Sequence, residues 1–153
     1  MKAKLILPSL TEADSRYFRP IKYSLFPPIG LATLAAHFHE DEDVEIVDQH
    51  VESLSLDDCP DLVCIQVYIT NAFRAYMIAD HYRKLGVYVA LGGLHVTSLP
   101  EEASKHADTI LLGPGEETFP AFLNDFRKRE PKPIYCFTDY VQTLDHLKPV
   151  RRD

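Results

Sequence analysis

Two short glycine-rich loops contain the residue types with the clearest chemical potential in this sequence. One reads Gly92-Gly-Leu-His95-Val-Thr97 and the other Gly113-Pro-Gly115-Glu116, so that four of the six glycines of the chain lie in them. Glycine lets a ligand approach the backbone closely, and a helix that starts behind such a loop offers N–H groups to a phosphate. Either glycine pair alone is typical of an ordinary tight turn. Together they favour an elongated ligand that lies between the two loops.

The apolar pattern predicts the strands and helices that would position these loops. Short apolar runs without clean alternation indicate strands covered on both faces, and segments of helical period lie between them. We expect strands at Leu5 to Leu7, Val44 to Val47, Leu62 to Tyr68, Val87 to Leu91 and Thr109 to Leu112, and helices at Ile29 to His39, Ala72 to Leu85, Pro100 to His106 and Phe119 to Arg129, with a short one around Glu52 to Asp58. The alternation predicts an α/β fold: a doubly wound, five-stranded parallel sheet in the flavodoxin-like order 2-1-3-4-5, with three α/β/α layers.

Local signals predict where some of these helices begin and end. Pro28 suits a first helical position, Gly86 suits the end of a helix, and Ser98 to Glu101 has the spacing of a capping box. The acidic run Glu40 to Asp43 follows a helix C-terminus, where negative charge is disfavoured. We therefore interpret that run as a solvated turn.

In an open parallel sheet, ligands bind beyond the carboxyl ends of the strands. Besides the glycine loops, three other loops would meet there: Pro8 to Thr11, Asp48 to His50, and Gln66 to Asn71. The first of these lacks the GxGxxG of a dinucleotide site, the phosphate loop of a flavodoxin and the acidic residues of a receiver domain. Cys64 lies within an apolar strand, where an inert thiol is the usual case, and the sequence has no Gly-x-Ser-x-Gly motif.

Charge and cysteine usage restrict the class of protein further. The formal net charge is −7, which makes nucleic acid and anionic membranes poor partners. The three cysteines have spacings that suit neither a disulfide framework nor a zinc site, and the first residues do not have the pattern of a signal peptide. We expect a cytoplasmic protein without a membrane span.

Five motifs, taken in this order, carry a family resemblance. They are Pro28-Ile-Gly30-Leu-Ala, Gly92-Gly-Leu-His95-Val-Thr97, Pro100-Glu-Glu-Ala103, Ala107-Asp108 and Gly113-Pro-Gly115-Glu-Glu-Thr118. From about Lys4 to Phe126, the sequence resembles the N-terminal cobalamin-binding domain of cobalamin-dependent radical S-adenosylmethionine (SAM) enzymes. That family includes methyltransferases and enzymes similar to the anaerobic magnesium-protoporphyrin ester oxidative cyclase.

The resemblance implies a cobalamin whose corrin lies over the carboxyl ends of the strands and whose nucleotide tail descends beside the glycine loops. It implies a cofactor with its base detached from cobalt, no protein histidine as metal ligand, and no catalytic residue in this chain. The implied cofactor-binding residues are Ser9, Leu10, Thr11, Tyr68, Thr70, Asn71, Gly92, Gly93, His95, Thr97, Gly113, Gly115, Glu116 and Thr118.

The sequence departs from the family at two places. Pro114 stands where the family usually has glutamate, and the CxxxCxxC motif of the catalytic half is absent. An iron–sulfur cluster and S-adenosylmethionine would therefore belong to a catalytic domain outside this chain. We expect residues 1–130 to form the cobalamin-binding domain and residues 131–153, with their prolines, to form an arm or linker toward that radical SAM domain. The chain alone would bind cobalamin for methyl transfer or related radical chemistry performed there.

Asp48-Gln-His50 reproduces the start of DxHxxG, the signature with which other cobalamin proteins place a histidine on cobalt. Here it follows the second strand instead of the first, and Ser53 replaces its glycine. In the expected order the second strand is an edge strand, so we do not expect His50 to be a ligand.

Two other functions remain open at this point. One is a stand-alone enzyme acting on a phosphorylated small molecule, with His95 as acid or base beside Glu116 or Glu117. The other is a non-catalytic sensor or interaction module.

Overall fold

The computed structural model describes residues 1–10, 28–139 and 148–150, and within them six strands form one parallel sheet. The strand order is β2-β1-β3-β4-β5-β6, which confirms the expected order 2-1-3-4-5 and adds one strand at its end. The strands are β1 (Lys2–Leu7), β2 (Asp43–Asp48), β3 (Leu62–Gln66), β4 (Tyr88–Gly92), β5 (Thr109–Leu112) and β6 (Ile134–Cys136).

Helices cover both faces of the sheet, as the apolar strand pattern predicts. They are α1 (Ile29–Ala35), α2 (Ala72–Lys84), α3 (Leu94–Ser98), α4 (Pro100–Ala103) and α5 (Gly115–Arg127). Alternate strand residues point to opposite faces, so the apolar side chains divide into two clusters. Val63, Val89 and Ile110 pack with α2 in one cluster, whereas Cys64 and Leu111 pack with α1 and α5 in the other. The result is the expected three-layer α/β/α domain.

The short helix expected around Glu52 to Asp58 is not formed, and that prediction was wrong. The connection is instead irregular and is held by Lys4, whose side chain is 3% exposed. Its ammonium lies 2.8 Å from Asp58 Oδ2 and 3.2 Å from Glu45 Oε2. Burial alone would lower the pKa of Lys4, but these carboxylates outweigh burial and raise it. A buried charge thus replaces helical hydrogen bonding as the restraint on this connection.

The helix ends agree with the sequence only in part. Gly86 has a φ of +78° directly after the C-cap of α2, as expected for a glycine that ends a helix. Pro28 precedes α1 by one residue, and its carbonyl accepts a hydrogen bond from the N–H of Ala32. The expected capping box at Ser98 is absent, because Ser98 ends α3 and its hydroxyl donates to the carbonyl of Leu94.

The segment 131–139, expected to be part of an arm, contributes β6 to the sheet. Ile134, Tyr135 and Cys136 pair in parallel with β5. The Tyr135 ring packs against Phe122 of α5 with centroids 5.7 Å apart, and its hydroxyl donates to Asp125 Oδ2 at 2.9 Å. This strand extends the sheet past the second glycine loop. In the part of the chain that the structure describes, no helix is long and apolar enough to cross a membrane.

Candidate functional site

A cavity of about 140 Å³ lies at the carboxyl ends of β3, β4 and β5, between α1 and α5. This is the edge at which open parallel sheets bind ligands. The lining residues are Gly30, Leu31, Leu34, Cys64, Ile65, Gln66, Ala90, Gly92, Gly93, Leu111, Gly113, Gly115, Glu116 and Phe119. The glycines of both expected loops line this one space.

Strand register creates the cavity. Cys64 of β3 pairs with Ala90 of β4 in one row, and Gln66 pairs with Gly92 in the next row toward the carboxyl edge. Gly92 in turn pairs with Leu111 of β5. The small residues of β4 therefore leave a trough on the face covered by α1 and α5, with Cys64 and Ala90 as its floor.

Four of the five glycines around the cavity fall into two groups. A Cβ on Gly30 would come no closer than 3.7 Å to any neighbour, and one on Gly92 would lie 3.5 Å from Leu111 Cβ, both ordinary contacts. A Cβ on Gly93 would lie 2.6 Å from the carbonyl oxygen of Val67, and one on Gly113 only 2.5 Å from that of Phe137. Gly93 and Gly113 also have positive φ, of +112° and +92°. These two are therefore required by the backbone, whereas Gly30 and Gly92 keep space open.

The polar side chains of the cavity lie at its rim. Gln66 donates from Nε2 to the Tyr68 hydroxyl at 2.8 Å, and Glu116 belongs to the first turn of α5. The floor contains the Cys64 thiol, whose pKa is raised by burial, so the thiol stays neutral. Among the described residues that line the cavity there is no lysine, arginine or histidine. Apart from Glu116 at the rim, the side chains that line the cavity are uncharged and mostly apolar, so its interior suits an apolar group.

Five of the expected cofactor residues line the cavity directly, and several others lie in the loops at the same edge. The five are Gly92, Gly93, Gly113, Gly115 and Glu116. Asn71 connects two of the loops, because its Nδ2 donates to the Pro8 carbonyl at 3.0 Å and its Oδ1 accepts from the Tyr68 N–H at 2.8 Å. In these loops Ser9 is buried, Leu10 is half-buried, and Tyr68 and Thr70 are exposed, while Thr11 lies outside the described residues.

The two expected threonines make hydrogen bonds to backbone. Thr97 Oγ1 donates to the Gly93 carbonyl at 3.2 Å and accepts from the Gly113 N–H at 3.1 Å, so it joins the two glycine loops. Thr118 is buried and donates to the Pro114 carbonyl at 3.2 Å. Both hydroxyls hold the loops in place and neither lines the cavity.

His95 lies on the opposite face of the sheet from the cavity. Its Nε2 is 3.2 Å from Glu102 Oε1, and its ring centroid is 6.1 Å from that of Tyr76, which belongs to the α2 cluster. The His95 ring holds the pKa of the Glu102 carboxyl below its usual value. His95 and Glu116 therefore do not share a site, contrary to what a stand-alone acid–base enzyme would need.

His50 lies beyond the edge strand β2, which is separated from β3 by β1. Its Nδ1 is 2.8 Å from Asp48 Oδ1, a local pairing within the loop after β2. Among the residues that the structure describes, no group of three or more His, Cys, Asp or Glu side chains is arranged to hold a metal ion.

Most of the residues that line the cavity have no role assigned to them from the sequence alone. Gly30 appeared in a motif without a role, and the remaining ones lie inside elements where they look like ordinary core: Leu31, Leu34, Cys64, Ile65, Gln66, Ala90, Leu111 and Phe119. A usable signal was present, because Cys64, Gln66, Ala90 and Gly92 alternate along two neighbouring strands and so point to one face. Reading that alternation requires the register, which the structure supplies.

Comparison with known proteins identifies relatives of this domain. Residues 23–123 match the family model described as B12 binding domain. The chain is 36% identical over 111 residues to a bacteriochlorophyllide d C-8(2)-methyltransferase of Chlorobaculum tepidum, covering 69% of this chain and 25% of that protein. It is 33% identical over 148 residues to an uncharacterized methyltransferase of Pyrococcus horikoshii, covering 88% of this chain and 31% of that one.

The chain thus spans only about a quarter to a third of the length of these relatives. Among solved structures, the N-terminal domain of a hypothetical protein of Thermotoga maritima is 22% identical with a TM-score of 0.49, and the match covers 80% of this chain and 97% of that one. The family match takes in α1, both glycine loops and the cavity between them, and it confirms the resemblance drawn from the motifs. The chain belongs to the B12-binding domain family.

Proposed function

We propose that this domain holds cobalamin for a methyl transfer that is completed by another domain of a longer protein. The observation that carries the proposal is the apolar cavity between the two glycine loops, in a chain that matches the B12-binding family. Two relatives, of whose length this chain matches 25% and 31%, are named methyltransferases. When bound, cobalamin supplies a cobalt ion that carries a methyl group.

The residues present fit the tail of such a cofactor. A flat aromatic base needs a narrow apolar slot, and the missing Cβ atoms of Gly30 and Gly92 leave one open. Leu34 and Phe119 supply apolar walls. A base held in this cavity is detached from cobalt, so the bound state is base-off. The corrin would lie over the carboxyl edge, near the loops that contain Ser9, Leu10, Tyr68, Thr70 and Asn71.

The proposal assigns no protein ligand to cobalt. His50 stands beyond an edge strand with β1 between it and the cavity strands, and its ring is already paired with Asp48. His95 packs on the other face of the sheet. The contribution of this chain is therefore to bind and orient the cofactor, and it contributes no acid or base.

The catalytic partner in this proposal is a radical SAM domain, which would carry the iron–sulfur cluster and S-adenosylmethionine. The length of the relatives and the absence of a CxxxCxxC motif from this sequence support that division. Residues 1–139 would then form the cofactor domain, since β6 belongs to the sheet, and the residues after it would form the connection.

Titration of the 153-residue protein with hydroxocobalamin tests the proposal. Equilibrium dialysis measures bound corrin, and the visible spectrum reports whether the base is on or off cobalt. We expect one bound corrin with a base-off spectrum. No corrin on the protein, or a base-on spectrum, would contradict the proposal.

Variants of Gly30 make the test specific to the cavity. Gly30 is exposed in the first turn of α1, so alanine or leucine there stabilises the helix by about 1 kcal/mol. Gly30→Leu is expected to obstruct the slot and reduce affinity at least about tenfold, because the base would lose its apolar contacts. Gly30→Ala is the matched control, with the same helix effect and a smaller loss. Unchanged affinity in Gly30→Leu would place the tail elsewhere.

A further inference from the structure

We propose that the cavity selects cobamides by the chemistry of their lower base, taking an apolar benzimidazole and discriminating against adenine. The inference rests on the proposed function and adds to it a ligand class that the cavity distinguishes. The supporting observation is that the floor of the cavity has uncharged, mostly apolar side chains, whereas the polar side chains lie at its rim.

The floor of the cavity offers no strong hydrogen-bonding side chain. It is formed by Cys64, Ala90, Leu111 and Phe119, which are between 0% and 5% exposed. The one heteroatom among these side chains is the Cys64 sulfur, and a thiol is a weak donor and a weak acceptor. The backbone of Cys64 and Ala90 belongs to the paired region of β3 and β4, where the ladder uses its polar groups.

The polar groups of the cavity are fixed at its mouth. Gln66 lies one row above Cys64, toward the carboxyl edge, and its amide is already oriented by the hydrogen bond to the Tyr68 hydroxyl. Glu116 lies in the first turn of α5, and Gly30 in that of α1, at the same open end. Past this rim, the side chains that a ligand group meets are apolar apart from the Cys64 thiol.

The two kinds of base differ at the end that would reach the floor. In cobalamin the outer ring of dimethylbenzimidazole is a hydrocarbon with two methyl groups. In the adenine cobamide the outer ring carries an amino group and two ring nitrogens, each of which binds water in solution. Burying such groups without partners is unfavourable. One unsatisfied group is expected to weaken binding about 5- to 100-fold.

The experiment compares three corrinoids on the wild-type chain by equilibrium dialysis. They are cobalamin, the adenine-containing cobamide, and cobinamide, which lacks the nucleotide tail. We expect cobalamin to bind at least about tenfold more tightly than the adenine cobamide. We also expect cobalamin to bind more tightly than cobinamide, because cobinamide has no base to fill the cavity.

The outcomes separate the inference from the function beneath it. Equal affinity for cobalamin and the adenine cobamide would overturn the selectivity and leave cobalamin binding intact. Cobinamide binding as tightly as cobalamin would overturn it as well, because the base would not be in the cavity. Failure of all three corrinoids to bind would contradict the proposed function itself.

A polar group in the floor of the cavity should reduce the ratio of the affinity for cobalamin to the affinity for the adenine cobamide. Cys64→Ser places a hydroxyl of nearly the same size beneath the base, where it can pair with a purine nitrogen or amine. We expect the preference for cobalamin to fall about three- to tenfold in this variant, equivalent to one new hydrogen bond. Cys136→Ser, at an exposed cysteine of β6, is the control and should keep the full preference.

Ala90→Ser offers the same test from the neighbouring strand if Cys64→Ser proves unstable. An unchanged preference in whichever of the two folds would mean that the floor does not contact the base. That result would overturn the inference.

Discussion

Replacing Gly93 by alanine should strongly destabilise the domain, whereas the same replacement at the neighbouring Gly92 should leave the fold intact. Gly93 has φ +112° and ψ 176°, a backbone conformation that is essentially restricted to glycine. Its new Cβ would lie 2.6 Å from the Val67 carbonyl oxygen and 3.0 Å from the Val67 nitrogen. Val67 cannot move aside easily, because its N–H donates to the Gly92 carbonyl and its carbonyl accepts from the His95 N–H.

The size of the effect follows from these two conflicts. An unfavourable backbone conformation costs about 1–3 kcal/mol, and an inserted group in a packed region costs about 1–3 kcal/mol more. The sum of about 2–6 kcal/mol is a large fraction of the roughly 5–15 kcal/mol that keeps a domain folded. At Gly92 the Cβ would make ordinary contacts with Leu111, and alanine in a strand is favoured over glycine by about 0.5–1 kcal/mol.

Thermal unfolding followed by far-UV circular dichroism measures the difference. For a chain of this length, 1 kcal/mol corresponds to roughly 2–4 °C in Tm. We expect Gly93→Ala to lower Tm by roughly 5–20 °C or to prevent folding, and Gly92→Ala to shift it by less than about 3 °C. Equal Tm values for Gly93→Ala and wild type would refute the reasoning, because the backbone at position 93 would then not need glycine.

Three further predictions concern polar side chains away from the cavity. Lys4→Met is expected to lower the free energy of unfolding by about 1–3 kcal/mol in urea titrations, since two carboxylates lose their buried partner. The control is Lys132→Met, at a side chain that is 69% exposed, which should leave the free energy of unfolding almost unchanged. Burial alone would raise the pKa of Glu42, but the Arg127 guanidinium holds it below its usual value. The ionised Glu42 therefore contributes its full share of the free energy of unfolding above about pH 5, and this contribution is lost as the pH falls below about 4. In urea titrations of Arg127→Gln, the free energy of unfolding should fall less between about pH 5 and about pH 4 than it does in the wild type. Finally, His50→Ala should leave the visible spectrum of bound cobalamin unchanged, and a shift of its bands would show that His50 does ligate cobalt.

The sequence was sufficient for the order of the sheet and for the edge of the sheet at which the two glycine loops meet. Apolar runs of strand length alternating with helical segments leave few topologies, because crossover connections are right-handed and keep neighbours adjacent. Gly93 and Gly113 could be found for the same reason, since a glycine after a strand marks a conformation that other residues avoid. The loops follow from local chemistry and the topology rules.

The lining of the cavity could not be derived in the same way. Ala90 and Cys64 are unremarkable in a strand, and they form a floor only because register places them side by side. His95 shows a different limit. The family resemblance implied that His95 contacts the cofactor tail, whereas the structure places the His95 ring beside Tyr76, on the face of the sheet opposite the cavity.

Partners distant in sequence explain the remaining differences. The acidic run Glu40 to Asp43 was interpreted as a solvated turn, yet the Glu42 side chain is only 8% exposed and pairs with Arg127, 85 residues away. β6 has three residues, follows two prolines closely and lacks a periodic pattern, so the local sequence does not predict a strand there. Such elements are stabilised by what they pack against.

Because Cys64 is buried, the reactivity of its thiol can report motions that open the cavity. Cys59 and Cys136 are exposed, so a thiol reagent consumes them quickly, whereas a reagent too large for the cavity of about 140 Å³ can reach Cys64 only in molecules whose α1 and α5 layer has moved off the sheet. When reclosure is faster than the reaction, the slow labelling rate gives the equilibrium constant between closed and open forms. A group lodged between the two helices must slow that rate in proportion to its occupancy. Thiol kinetics can therefore report the fraction of molecules in which this cavity is open, with no chromophore and no partner domain.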